Sequence, residues 1–234
     1  MSIKYFEQDR IFKLDANNTT YMIAVIDEEK FLGHVYYGKK VIDKNLNYLL
    51  RTDKYPFTPS KNNRERVGFY DGFFFEYSTH GIGDFRQTAL EVKDCNGNTA
   101  CKLQYVSHEI YKGKKKLKGL PCTFGDENEC TTLEINCIDK DLNLEVVLIY
   151  TVFENLDVIT RSVKAKNLNS EKIKLTKILS MSLDFEGIDY DMISLNGSWA
   201  RERYINRRKV TYGTQSRGSD RGEGSSQYSP FIAL

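Results

Sequence analysis

The chain has 234 residues, 40% of them hydrophobic and 28% charged, which suits a globular chain and is too apolar for disorder. Its 34 Lys+Arg against 32 Asp+Glu leave a net charge of +2, which argues against a dedicated nucleic-acid binder. The 15 Tyr and 13 Phe beside a single Trp favour sheet over helical bundle.

In chain order, the first fifteen residues carry Lys4, Glu7, Asp9, Arg10, Lys13 and Asp15, which is not the pattern of a signal peptide. No apolar run approaches the roughly 20 residues of a spanning helix, so a cytoplasmic chain with no membrane partner is expected. The dominant hydrophobic period is two. Tyr21 to Ile26 and Phe31 to Tyr37 read as strands, the second containing His34. Asn45 to Phe75 reads as a long loop, with Pro56, Pro59, a charged run from Lys61 to Arg66, and Phe73-Phe74-Phe75. Ala89 to Val92 and Lys102 to Ile110 read as a hairpin about Asn96-Gly97, a pair that tolerates the positive φ of a tight turn. Cys95 and Cys101 flank that turn and could lie close across it. All five cysteines are expected as thiols, because their number is odd and no secretory signal precedes them.

Leu133 to Ile138 and Leu144 to Phe153 form the next pair, turned at Asp139-Lys140-Asp141. The second of these is apolar on both faces, as for a strand between two layers. Val158 to Ala165 alternates, with Arg161 and Lys164 assigned to the outward face. Ile173 to Ser180 and Ile193 to Leu195 continue the pattern. From Arg201 onward, repeated Gly and Ser predict an irregular tail that turns apolar at Pro230 to Leu234. Strands at this spacing, with no amphipathic helix, predict an all-β sandwich of two large sheets.

Four features could carry chemistry. Asp184, Glu186, Asp189 and Asp191 could supply a glycosidase carboxylate pair, or simply form a solvated acidic loop. His34, His80 and His108 have no Ser and Asp spaced for a triad and read as strand or loop residues. The five lysines between Lys112 and Lys118 could meet an acidic surface, or form a solvated edge that discourages strand pairing. Trp199 could cover a sugar face or pack in a core. No residue pattern calls for a metal or cofactor.

Several motifs in one order resemble the N-terminal β-domain of bacterial α-galactosidases of glycoside hydrolase family 36, over essentially the whole chain. His34-Val35-Tyr36-Tyr37-Gly38-Lys39 is similar to the family's H-x-Y-W-G-K, with Tyr37 where Trp is usual. Gly83-Asp84-Phe85-Arg86, Tyr105 to Lys114, Gly119-Leu120-Pro121, Ile159-Thr160-Arg161-Ser162 and Gly197 to Arg203 match further family motifs. Ser225 to Leu234 matches the last, with Gln227 and Ser229 replacing its His and Asn. The resemblance implies a galactose-mutarotase-like two-sheet supersandwich as one domain over residues 1–234. It also implies a following (β/α)8 barrel that carries both catalytic aspartates. The barrel is expected after Leu234, so no catalytic residue is expected in this segment. Asp53 and Trp199 are carried over as substrate-binding. The implied partners are a galactoside substrate, the missing barrel and further copies of the chain in a tetramer. The competing expectations are a free-standing aldose epimerase, which needs a His acid and a Glu base, and a non-catalytic carbohydrate-binding module.

Overall fold

A computed structural model describes residues 2–50, 74–84, 86–185, 187, 189–221 and 224–234. Among these, the structure is all-β apart from one short 3₁₀ turn at Asn47–Leu49. Contacts divide the chain into two compact units, residues 1–184 and 185–234. Among the described residues no helix is long and apolar enough to cross a membrane.

In the first unit, β1 (Ile3–Phe6), β2 (Ile11–Asp15), β3 (Thr19–Ile26) and β4 (Phe31–Lys39) form an antiparallel meander. A second antiparallel sheet contains β6 (Gln104–Lys112), β7 (Cys130–Asp139), β8 (Leu144–Phe153) and β9 (Val158–Asn167) in sequence order. β5 (Leu90–Lys93) pairs with β10 (Lys174–Ile178) in a two-stranded sheet. The two large sheets share one core. Phe12, Leu14, Tyr21, Ile23 and Val25 from the first pack with Leu133, Ile135, Val146, Leu148 and Tyr150 from the second. Successive strand residues face opposite sides. Ile11, Met22, Ala24, Ile26 and Phe31 therefore line the other face of the first sheet, where Phe75 and Val35 join them. Cover on both faces is why β3 is apolar without interruption from Tyr21 to Ile26.

The expected hairpin about Asn96-Gly97 is half present. The turn forms, with Gly97 at φ 91° and Asp94 accepting hydrogen bonds from the Asn96 and Asn98 amides. Its flanking strands do not pair with each other: β5 joins β10, and β6 joins β7. Cys95 and Cys101 consequently have different surroundings. Cys95 is exposed and its thiol lies 2.7 Å from Glu171 Oε2, whereas Cys101 is buried in the core. All five cysteines are free. Burial pushes the Cys137 thiol up to about 12 and raises those of Cys101 and Cys130. The Glu171 carboxylate raises the Cys95 thiol as well, so access rather than acidity separates the four: exposed Cys95 is expected to react slowly from the folded state, while these three react only on unfolding. Peptide mapping after a timed pulse of iodoacetamide checks this; early label at Cys137 would contradict the packing.

The second unit corrects the expected irregular tail. β11 (Asp191–Ser198) lies between β12 (Arg201–Lys209) and β13 (Tyr228–Ala233), antiparallel to both. β12 is exposed along its whole length.

Candidate functional site

Two constellations emerge, one in each unit. The first is a buried charge cluster inside the sandwich. Arg161 was expected outside, yet its side chain is only 7% exposed and its Nη2 lies 2.6 Å from Glu76 Oε1. Glu76 is fully buried and accepts hydrogen bonds from Tyr21 Oη at 2.7 Å and Tyr150 Oη at 2.7 Å. Arg161 Nη1 donates to the Ser182 carbonyl at 2.6 Å. His34 Nδ1 lies 3.4 Å from Glu76 Oε2, in a geometry that makes no hydrogen bond. Burial alone would push the Glu76 carboxyl up. The Arg161 charge and the contacts with His34 and Tyr150 outweigh it and hold the group below its usual range.

This cluster gives two of the sequence motifs a physical cause. His34 belongs to the first and Arg161 to the Ile159–Ser162 motif, and both converge on one carboxylate supplied by a third segment. It also brings a His beside a Glu, the pairing an epimerase requires. That pair is sealed, with side chains 7% and 0% exposed. The nearby cavity lined by Phe31, Leu32, Phe75, Tyr77, Cys137 and Leu148 holds about 10 Å³, room for one water and none for a sugar. Between the two sheets the cluster is structural.

The described acidic residues near 184–191 are each paired with a cation. Asp184 pairs with Arg86, Asp189 with Lys209 and Asp191 with Arg207; Glu186 lies outside the described residues. Arg86 is the Arg of Gly83-Asp84-Phe85-Arg86; it also bonds Asp84 and sits 5.0 Å from the Phe74 ring centroid. Carboxylates held by cations are poor candidates for a proton-shuttling pair. His80 and His108 bond Thr99 and Tyr105. In the lysine run, Lys115 sits 3.9 Å from the Tyr111 ring centroid, near Glu109 and Glu134. Among the described residues no group of three metal-ligating side chains occurs.

The second constellation lies in the unit of residues 185–234. Trp199 and Ala200 form the tip of the β11–β12 hairpin, and the Trp199 side chain is 85% exposed. Sequence pattern left open whether this indole packs in a core; it does not. Ala200 has φ 62° and Arg203 φ 63°, both in the left-handed region that non-glycine residues rarely adopt. Ser198 pairs with Arg201 and Asn196 with Tyr204, so the single residue Gly197 opposes both Glu202 and Arg203. That is a β-bulge, a device that re-aims side chains next to functional sites. Alternation could not have revealed it. Glu202 and Arg203 line an open pocket of about 570 Å³ with Arg221, Ser225, Ser226 and Tyr228. Asp53 lies outside the described residues.

The described residues thus form a two-sheet sandwich followed by a small three-stranded sheet that carries an exposed indole and an open polar pocket. The description "Glycosyl hydrolase family 36 N-terminal domain" matches residues 30–234, and the chain belongs to that family. It is similar to the α-galactosidase AgaA of Geobacillus stearothermophilus, 42% identical over 236 aligned residues that cover 100% of this chain and 32% of that protein. The crystal structure of the α-galactosidase AgaB from the same organism superposes with a TM-score of 0.89 at 41% identity, covering 99% of this chain and 32% of that one. A crystal structure of an AgaA variant in complex with raffinose superposes with a TM-score of 0.87 at 41% identity, covering 95% of this chain and 31% of that one. The chain thus spans about a third of the length of these relatives.

Proposed function

We propose that this chain is the N-terminal portion of an α-galactosidase that removes terminal α-D-galactosyl residues from raffinose-type oligosaccharides with retention. In this reading the catalytic carboxylates belong to a barrel beyond residue 234, and residues 1–234 supply rim contacts and an assembly surface. The observation that carries it is the end-to-end similarity to the N-terminal third of AgaA, together with the likeness to a raffinose complex. The exposed Trp199 supports a sugar-facing role, since an indole covers the apolar face of a pyranose. Asp53 would accept hydrogen bonds from sugar hydroxyls. Tetrameric assembly finds support in the second unit, where Tyr204, Ile205, Phe231 and Ile232 are exposed. Asn196 Oδ1, Gln215 Oε1 and Arg217 Nε are buried there without a hydrogen-bond partner among the described residues. Five free thiols support a reducing, cytoplasmic setting.

A chimera tests the reading. Residues 1–234 replace the aligned third of AgaA, and raffinose hydrolysis is measured. Turnover is expected. Asp53→Asn and Trp199→Ala in the chimera should each raise KM about tenfold and leave kcat within about twofold, as for contacts equal in ground and transition states. A folded chimera without turnover would refute the proposal. A fall in kcat at constant KM would instead give these residues a transition-state role.

A further inference from the structure

The pocket beside the β11–β12 hairpin is unusual in how its charges are placed. Glu202 Oε1 accepts a hydrogen bond from the Ala200 amide at 2.9 Å, which fixes the carboxylate at the hairpin tip. Among the described residues no ion pair joins Glu202 to Arg203 or Arg221, although all three line one pocket. The Arg203 and Arg221 guanidiniums find no acceptor among the described residues. Opposite charges at one mouth normally pair unless the backbone holds them apart. The bulge places Glu202 and Arg203 side by side opposite Gly197, with Arg203 at φ 63°. Strain of this kind costs about 1–3 kcal/mol and persists where the surroundings impose it, often at ligand sites. The opposite wall is also built. The Ser225 and Tyr228 backbones bond each other at 3.0 and 3.2 Å, closing a tight turn that carries Ser225 and Ser226. Gly197 lets this turn approach the bulge: a Cβ there would lie 2.9 Å from the Ser226 carbonyl oxygen.

We infer that this pocket is a sugar subsite, in which Glu202, Arg203, Arg221 and the Ser225–Ser226 hydroxyls bind a neutral hydroxyl-rich unit of the oligosaccharide beside Trp199. The inference rests on the reading of the chain as the rim of an α-galactosidase and adds the residues that select the distal sugar. The chemistry selects this ligand class. A carboxylate accepts from neighbouring hydroxyls, a guanidinium donates to hydroxyl or ring oxygens, and serines serve in either direction. Two arginines alone would also suit an anion, but the Glu202 charge at the same mouth opposes one. The pocket is open and polar, with about 570 Å³ that a sugar unit could enter from solvent.

Trp199 is the single tryptophan, so its emission reports on this place alone. The 234-residue chain is titrated with raffinose and, separately, with inorganic phosphate, with calorimetry as a second readout. Raffinose is expected to give a saturable change and phosphate none. Glu202→Gln and Arg203→Ala should each weaken raffinose binding about tenfold, the loss from deleting a hydrogen bond to a charged group. Arg207→Ala, on the same strand but paired with Asp191, should leave it unchanged. Circular dichroism establishes that each variant is folded. Raffinose binding unaffected by Glu202→Gln and Arg203→Ala overturns the subsite and leaves the α-galactosidase reading standing. So does binding of phosphate in preference to raffinose, or no saturable response from the folded chain. Calorimetric binding that survives Trp199→Ala but falls with Glu202→Gln upholds the subsite and removes Trp199 from the rim. A folded chimera that fails to hydrolyse raffinose would sink the wider reading by itself.

Discussion

Removing either charge of the Glu76–Arg161 pair is expected to cost about 3–5 kcal/mol, because the remaining ion stays buried without its counter-charge. Total stability of a domain is about 5–15 kcal/mol, so either variant would sit near the edge of folding. Glu76→Gln keeps the shape and the amide oxygen for Tyr21 and Tyr150, but leaves the Arg161 guanidinium uncompensated at 7% exposure. Arg161→Met keeps the stem and strands the carboxylate. Glu76→Leu combined with Arg161→Met leaves no charge behind, and should cost less than the sum of the singles. The effect also depends on pH. The folded-state pKa of Glu76 lies below its usual value of 4.5. The stability it contributes is therefore present above pH 4.5 and is lost as pH falls through the lower folded value. The deficit of Glu76→Gln should be greatest near neutrality and shrink in acid. Urea denaturation at several pH values measures it. Single-variant losses under about 1 kcal/mol would mean that water or relaxation compensates the ion.

The same pair marks the limit of what alternation reveals. β3, β7 and β8 are legible because their apolar residues recur at the period of a pleated strand and are covered on one or both faces. Arg161 and Lys164 were both assigned outward, yet residues three apart on a strand face opposite sides. Lys164 is exposed and Arg161 is inside. Only a carboxylate 85 positions earlier makes a buried guanidinium tolerable, and local pattern holds no trace of it. The Asn96-Gly97 signal specified a turn, and turns do not choose partners: β5 pairs with a strand more than 80 residues away. β1 and β2 escaped notice because Lys4 and Lys13 interrupt them. Lys13 is nevertheless 2% exposed, its ammonium held 2.8 Å from both Asp15 and Asp43. β12 shows no apolar face at all, so nothing in its composition separated it from a loop. Of the candidate site, Trp199 was singled out through family resemblance. The bulge that aims Glu202 and Arg203 was not, because a left-handed non-glycine residue follows from tertiary packing and not from residue type.

Gly197→Ala is expected to unsettle that bulge selectively. A Cβ at this position would lie 2.3 Å from the Arg201 carbonyl oxygen and 2.8 Å from the Glu202 Cα. Both are backbone atoms of the facing strand, so no side-chain rotation can relieve the clash. Forcing one methyl into filled space costs about 1–3 kcal/mol. The loss should fall within residues 185–234, whose strand pairing depends on Gly197 opposing two residues. Amide hydrogen exchange separates the two units. Protection of the β11 and β12 amides should drop about tenfold to a hundredfold. The β7–β8 ladder, which packs around Leu133, Ile135 and Leu148, should keep its wild-type rates. The raffinose response of Trp199 should vanish with the bulge, because Glu202 and Arg203 would no longer face the pocket they line. Unchanged exchange in β11 and β12 would mean that the hairpin shifts to admit a methyl without loss of pairing. The close approach at Gly197 would then not be what holds Glu202 and Arg203 in place.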